Sequence, residues 1–77
     1  MMEEFLTTVI SEIVDNPDEV NVTLQSGERG DRYEIAVAQE DLGKIIGRRG
    51  RTARALRTLL SAAAAKGDRR LELEILE

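Results

Sequence analysis

Residues 43–60 read GKIIGRRGRTARALRTLL and combine a glycine-flanked turn with a helix that is basic on one side. The turn itself, GRRG at residues 47–50, places two arginines between two glycines. A residue without a Cβ lets backbone N–H groups approach an anion closely. The helix predicted to begin at Arg51 adds unpaired N–H donors and a partial positive charge. A G-x-x-G sequence alone is common, but this combination suits a sugar-phosphate backbone.

The helix predicted from Arg51 to about Ala65 has two chemically different faces at about 100° per residue. The basic arc holds Arg51 and Arg54, with Arg57 at its edge, and faces water or a polyanion. Gly67 is the expected C-terminal cap. The opposite arc is apolar and is expected to pack on a sheet; it contains Ala53, Leu56, Leu59, Leu60 and Ala63.

The charge of the chain is unevenly distributed around its net value of −4. Residues 42–67 contain no acid and carry +7, which leaves −11 for the remainder. Local potential steers a charged ligand more than net charge does, so the segment favours a polyanion. A solvated helix face neutralised by acids elsewhere in the fold is the alternative. The cations of the segment are Lys44, Arg48, Arg49, Arg51, Arg54, Arg57 and Lys66.

The flanking sequence predicts a small sheet covered by helices. Apolar residues at i, i+3 and i+4 indicate a first helix that ends before Pro17, and apolar–polar alternation indicates three strands. The first two strands are expected to form an antiparallel hairpin with a loop longer than two residues. The predicted elements are a helix over 2–14, strands over 20–25, 32–37 and 70–75, a turn over 26–31 and a short helix over 39–46.

Residues 43–56 resemble the KH-domain signature, I-G-x-x-G-x-x-I-x-x-I. The two late apolar positions are Ala53 and Leu56, and Ala53 is smaller than the usual isoleucine. The α-β-β-α-α-β order matches the type II form of that fold, an α+β class with helices on one face of a three-stranded sheet. Over its whole length, as one domain of residues 1–77, the chain is similar to the small bacterial KhpA family.

The resemblance implies a site for about four single-stranded nucleotides, clamped at the G-x-x-G loop. One of Ile45 and Ile46 would line the groove for bases while the other packs inward, and we favour Ile46. The strand over 32–37 would form the far wall and read base edges through its main chain. The implied RNA-binding residues are Lys44, Ile46, Gly47, Arg48, Arg49, Gly50, Arg51 and Arg54.

The resemblance also implies partners and a cellular role. Self-association, and pairing with a larger KhpB or Jag-type protein that contains a KH module, are expected. The implied activity is post-transcriptional control or RNA chaperoning, with links to cell shape and wall homeostasis. A cytoplasmic location is the default, because no apolar run approaches the roughly 18 residues of a membrane span and the N-terminus is acidic.

Other functional classes find less support. The chain has no histidine or cysteine, so we expect no catalytic residues, cofactor, metal or small-molecule substrate. Acids such as those at 40–41 suggest caps and solvated faces. Only Phe5 and Tyr33 are aromatic, which disfavours base stacking on a sheet. Two alternatives remain: a protein-interaction module, and a DNA-binding helix-turn-helix over 39–46 and 51–65.

Overall fold

The computed structural model describes residues 2–64 and 70–77 and has the predicted α-β-β-α-α-β order. The helix predicted over 39–46 begins as a 3-10 turn, Gln39–Asp41, before α2. The predicted helix end at Ala65, the cation Lys66 and the Gly67 cap lie outside the described residues. The elements are α1 (Met2–Ile13), β1 (Asn21–Ser26), β2 (Gly30–Ala36), α2 (Leu42–Ile46), α3 (Arg51–Ala64) and β3 (Arg70–Ile75).

The three strands form one mixed sheet in the order β1-β2-β3. β1 and β2 are antiparallel, as the hairpin prediction required, and residues 27–29 connect them. β2 and β3 are parallel, and the long connection between them contains α2 and α3. The central strand begins at Gly30, where a Cβ would lie 2.8 Å from the Cβ of Arg70 and would overlap the Arg70 carbonyl oxygen. Close approach of the two strands therefore requires glycine at this position.

The helices cover one face of the sheet and enclose the apolar core. Each large apolar side chain buried there contributes roughly 1.5–3 kcal/mol relative to exposure. Tyr33 belongs to this core and is 7% exposed, so its ring is not presented to a base. The predicted α+β fold class with helices on one face is confirmed. The core consists of Leu6, Ile10, Val14, Tyr33, Ile35, Ile45, Leu56, Leu60 and Leu73.

The apolar face of α3 is narrower than the sequence predicts. Leu56 and Leu60 are buried, whereas Leu59 is 47% exposed. The prediction that Leu59 packs against the sheet was therefore wrong. Leu59 lies about 100° around the helix from Leu60, at the border of the sheet-facing arc. No helix among residues 2–64 is long and apolar enough to cross a membrane.

Asp41 anchors the segment that follows α1 to the start of α2. Its carboxylate is fully buried and accepts hydrogen bonds from the backbone N–H groups of Asp15 (3.1 Å) and Asn16 (2.9 Å). The Asn16 side-chain amide donates a third at 3.0 Å. Asp41 occupies the N-cap position of α2, as the expectation of a cap allowed, but the expected solvated face was wrong for this residue.

The hydrogen bonds at Asp41 also determine its ionisation. Burial alone would raise the pKa of this carboxyl. Hydrogen bonds from Asn16 and Asp15, together with the charge of Lys44, outweigh burial and lower the pKa below its ordinary value. The carboxylate therefore stays charged at neutral pH and fixes the position of α2, whose last residue precedes the glycine-flanked turn.

Candidate nucleic-acid interface

The turn between α2 and α3 contains three residues with positive φ, a backbone conformation that L-amino acids rarely adopt. Gly47 has φ 77° and ψ 170°, Arg49 has φ 55° and ψ 26°, and Gly50 has φ 73°. The Gly47 N–H donates to the Gly43 carbonyl at 2.8 Å, and the Gly50 N–H donates to the Gly47 carbonyl at 3.1 Å. These bonds form a tight turn that projects Arg48 and Arg49 at its tip.

The two glycines are required for different reasons. A Cβ on Gly47 would lie 2.8 Å from the backbone N of Thr52 and would overlap the Thr52 Oγ1, so both space and φ exclude a side chain. A Cβ on Gly50 would meet nothing within 4 Å, and only its positive φ favours glycine. Of the two glycines, only Gly50 therefore has open space beside its backbone.

The arginines of the turn and of the first part of α3 are exposed. Arg48, Arg49, Arg51 and Arg54 all face solvent. The ion pairs found among residues 2–64 and 70–77 use Arg32 and Lys44, and none of them uses an arginine of this segment. Within these residues, no acid forms a close ion pair with the four arginines, which favours the interpretation in which their charge meets a polyanion.

Lys44 differs from the arginines because it already has a carboxylate partner. Its Nζ lies 2.9 Å from Asp15 Oδ2, on the segment that follows α1. The hydrogen bond to Asp15 and the charge of that carboxylate raise the pKa of Lys44 above its ordinary value. Both side chains remain solvent-exposed, so a phosphate would have to compete with Asp15 for Lys44.

Ile45 and Ile46 point to different environments. Ile45 is fully buried in the core, whereas Ile46 is half-buried and lines a groove beside the turn. The structure thus places Ile46, the residue that we favoured, at the groove. The groove combines apolar and charged side chains, and its lining residues are Ile46, Gly50, Ala53, Arg54, Arg57, Ile75 and Glu77.

The far side of this groove comes from β3 and the residues after it. The strand predicted over 32–37 corresponds to β2, which is central in the sheet and pairs with a strand on each side. Its main-chain groups are engaged in those two ladders, so its expected role as the far wall that reads bases was wrong. The wall is provided by Ile75 and Glu77 instead.

The free edge of β3 replaces β2 as a source of main-chain donors and acceptors. The Arg70 N–H donates to the Arg29 carbonyl at 3.4 Å, and the Leu76 N–H donates to the Ile35 carbonyl at 2.9 Å. Main-chain groups alternate sides along a strand, so those of the residues at 71, 73 and 75 point to the opposite edge. Within the described residues, no strand pairs with that edge.

The family comparison agrees with this geometry. The family model described as KhpA/KhpB, KH domain, matches residues 3–75. The chain belongs to this KH-domain family. The I-G-x-x-G part of the KH signature corresponds to residues 46–50. The two later apolar positions of the signature are Ala53 and Leu56, which are 5% and 3% exposed. The small Ala53 thus occupies the buried position that the signature predicts.

Relatives of similar length support the assignment to the KH family. A Borreliella burgdorferi protein named RNA-binding protein KhpA is 51% identical over 74 residues, which cover 96% of this chain and 90% of the relative. A Treponema pallidum protein of the same name is 48% identical, with 100% of this chain and 96% of the relative covered. A third, from Chlamydia pneumoniae, is 46% identical, with 99% and 97% covered.

Proposed function

We propose that this KH protein binds single-stranded RNA with low sequence specificity, through one module per chain, and that it is not an enzyme. The observation that carries the proposal is the turn at residues 47–50. It presents two exposed arginines on a tight turn whose two glycines have positive φ, directly beside a groove lined by apolar and charged side chains. The names of the relatives, which include RNA binding, support the same function.

Each part of the site has a distinct task in this proposal. The backbone N–H groups at the tip of the turn and the side chains of Arg48 and Arg49 contact phosphates. Arg51 and Arg54 extend the positive track along α3. Lys44 contributes only at longer range, because its ammonium group already forms an ion pair with Asp15.

The bases lie on the other side of the groove in this arrangement. Ile46 and Ile75 provide an apolar surface for one base. The free edge of β3 offers main-chain donors and acceptors to the Watson–Crick edges of unpaired bases. A few such hydrogen bonds along one short strand edge would give only modest base specificity.

Association with a second chain would compensate for the small contact area. One module engages about four nucleotides, so useful affinity requires two modules on one RNA, through effective concentration. We propose a homodimer, or a heterodimer with a larger KhpB or Jag-type protein, and the family description, which joins KhpA and KhpB, supports the second. Family resemblance likewise supports a cytoplasmic RNA chaperone or post-transcriptional regulator linked to cell shape and wall homeostasis.

The direct test replaces both turn arginines by aspartate. The R48D/R49D protein should fold, because both side chains are exposed, and should lose binding to a fluorescent single-stranded RNA. R29D/R70D is the matched control: it changes the charge equally at exposed positions near the other end of β3, roughly 16 Å from Ile75. Binding by R48D/R49D equal to that of the control would refute the assignment of the turn.

Salt dependence and a duplex competitor test the type of ligand. Neutralising about three to five phosphates on a single strand predicts a slope of log K against log salt of roughly −2 to −4. Single-stranded RNA should bind more tightly than duplex DNA at equal salt. The reverse order would favour the helix-turn-helix alternative.

A further inference from the structure

The groove beside the turn contains an acid among its cationic and apolar residues. Of the described side chains that line it, Arg54 and Arg57 are cationic, Ile46 and Ile75 are apolar, and Glu77 is the one carboxylate. Glu77 is exposed and forms no ion pair with any cation of the described chain. The side-chain oxygens of Glu77 can therefore accept hydrogen bonds from a ligand in a groove whose other charged residues are cationic.

The positions of these charges separate a phosphate side from a base side. Arg54 and Arg57 lie on α3, which begins at the turn, whereas Glu77 follows β3 on the opposite wall. A phosphate chain that follows the arginines must direct its bases across Ile46 toward that wall. A carboxylate there repels phosphates, and among the groups of a base it interacts favourably with a hydrogen-bond donor and unfavourably with a carbonyl oxygen.

The four bases differ in the donors that they present to a carboxylate. Adenine and cytosine carry an exocyclic amino group, and guanine presents an amino group beside a ring N–H. Uracil has a single ring N–H flanked by two carbonyl oxygens, which a carboxylate repels. An acidic side chain at this position therefore disfavours uracil.

We propose that Glu77 determines base preference in this groove and favours bases that carry an exocyclic amino group over uracil. The inference rests on the proposed function, because it names the base that the RNA site accepts. One net hydrogen bond at an exposed position, which uracil cannot form well, corresponds to a preference of roughly threefold to tenfold.

Cytidine and uridine hexamers are the appropriate probes, since the two pyrimidines differ mainly in the amino and carbonyl groups at one ring position. The wild-type protein should bind the cytidine hexamer threefold to tenfold more tightly at low salt. E77Q replaces one carboxylate oxygen by an amide donor that can pair with a uracil carbonyl. This variant should bind the uridine hexamer more tightly than wild type does, and its preference should fall below twofold.

E74Q is the matched control for charge. Glu74 is exposed on β3, pairs with Arg32 at 3.6 Å and does not line the groove. E74Q should keep the cytidine preference of the wild type. Equal gains for both hexamers in E77Q, or a wild type without preference, would overturn the role of Glu77 while leaving RNA binding intact. If neither hexamer bound the folded wild type, the proposed function itself would fail and the inference with it.

Discussion

Alanine at each of the three glycines in residues 43–50 should change the free energy of unfolding by a different amount. At Gly47, alanine would occupy φ 77° and ψ 170°, a region that is essentially restricted to glycine and costs about 1–3 kcal/mol. Its Cβ would also lie 2.8 Å from the Thr52 backbone N and 2.9 Å from the Thr52 Cβ, so the start of α3 must shift. We expect G47A to lose about 3–4 kcal/mol in total.

The other two glycines separate backbone strain from steric overlap. Gly50 has φ 73° and open space around a Cβ, so G50A should lose only the left-handed cost of about 1–2 kcal/mol. Gly43 lies within α2 without positive φ, and its Cβ would meet nothing within 4 Å. G43A should therefore gain up to about 1 kcal/mol from helix propensity.

Urea unfolding followed by far-UV circular dichroism measures all three differences. A domain of 77 residues is expected to have a stability of about 4–12 kcal/mol, so the loss in G47A is a large part of the total. At about 4–8 °C per kcal/mol, the Tm of G47A should fall by at least about 12 °C. If G47A lost no more stability than G50A, the turn would not have the described conformation.

Two further predictions concern the core and the buried carboxylate. L56D should unfold the domain, because it buries a charge. L59D should lower the free energy of unfolding by only about 1 kcal/mol, because Leu59 is 47% exposed and aspartate mainly lowers helix propensity there. Similar Tm values for the two variants would contradict the assigned faces of α3. D41N should lower the Tm at neutral pH, since an amide supplies fewer acceptors to the donors of Asn16 and Asp15. The pKa of Asp41 is depressed in the folded state, so its contribution is present above the unfolded value of 3.8 and is lost as pH falls through the folded pKa. Wild type should therefore lose more stability than D41N on acidification below that value, and parallel acid curves would contradict the role of Asp41.

The periodic parts of the sequence predicted the fold well. Alternation located all three strands to within two residues at each end, and the order of elements with the glycine-flanked turn indicated the KH class. These patterns report which face of an element is buried. They do not report the width of that face, which is why Leu59 was assigned to the core although it lies at the border of the arc.

The site could be predicted only where its residues are contiguous in sequence. The glycines and arginines of 47–51 form a local motif, and the structure places them together. The far wall depends on which strand is left at the edge of the sheet, and alternation in 32–37 and 70–75 looks the same. Position in the sheet follows from the parallel pairing of β2 with β3, which no local pattern contains.

Long-range polar contacts were equally hidden. The partners of Asp41 are 25 and 26 residues away, and the ion pair between Lys44 and Asp15 joins α2 to the segment after α1. The sequence shows the same residue type whether its carboxylate is buried or solvated. An acid two or three residues before a glycine-lysine pair gave no signal that it was enclosed.

We propose above all that the turn at residues 47–50 contacts a single-stranded RNA. The most direct measurement is a titration of ¹⁵N-labelled protein with a short oligoribonucleotide in low-salt buffer, followed at individual backbone amides. We predict saturable shifts of the Gly47 and Gly50 amides while that of Gly30, near the far end of the sheet, stays unchanged. Unshifted Gly47 and Gly50 amides in a folded sample, or an equal shift at Gly30, would contradict the account.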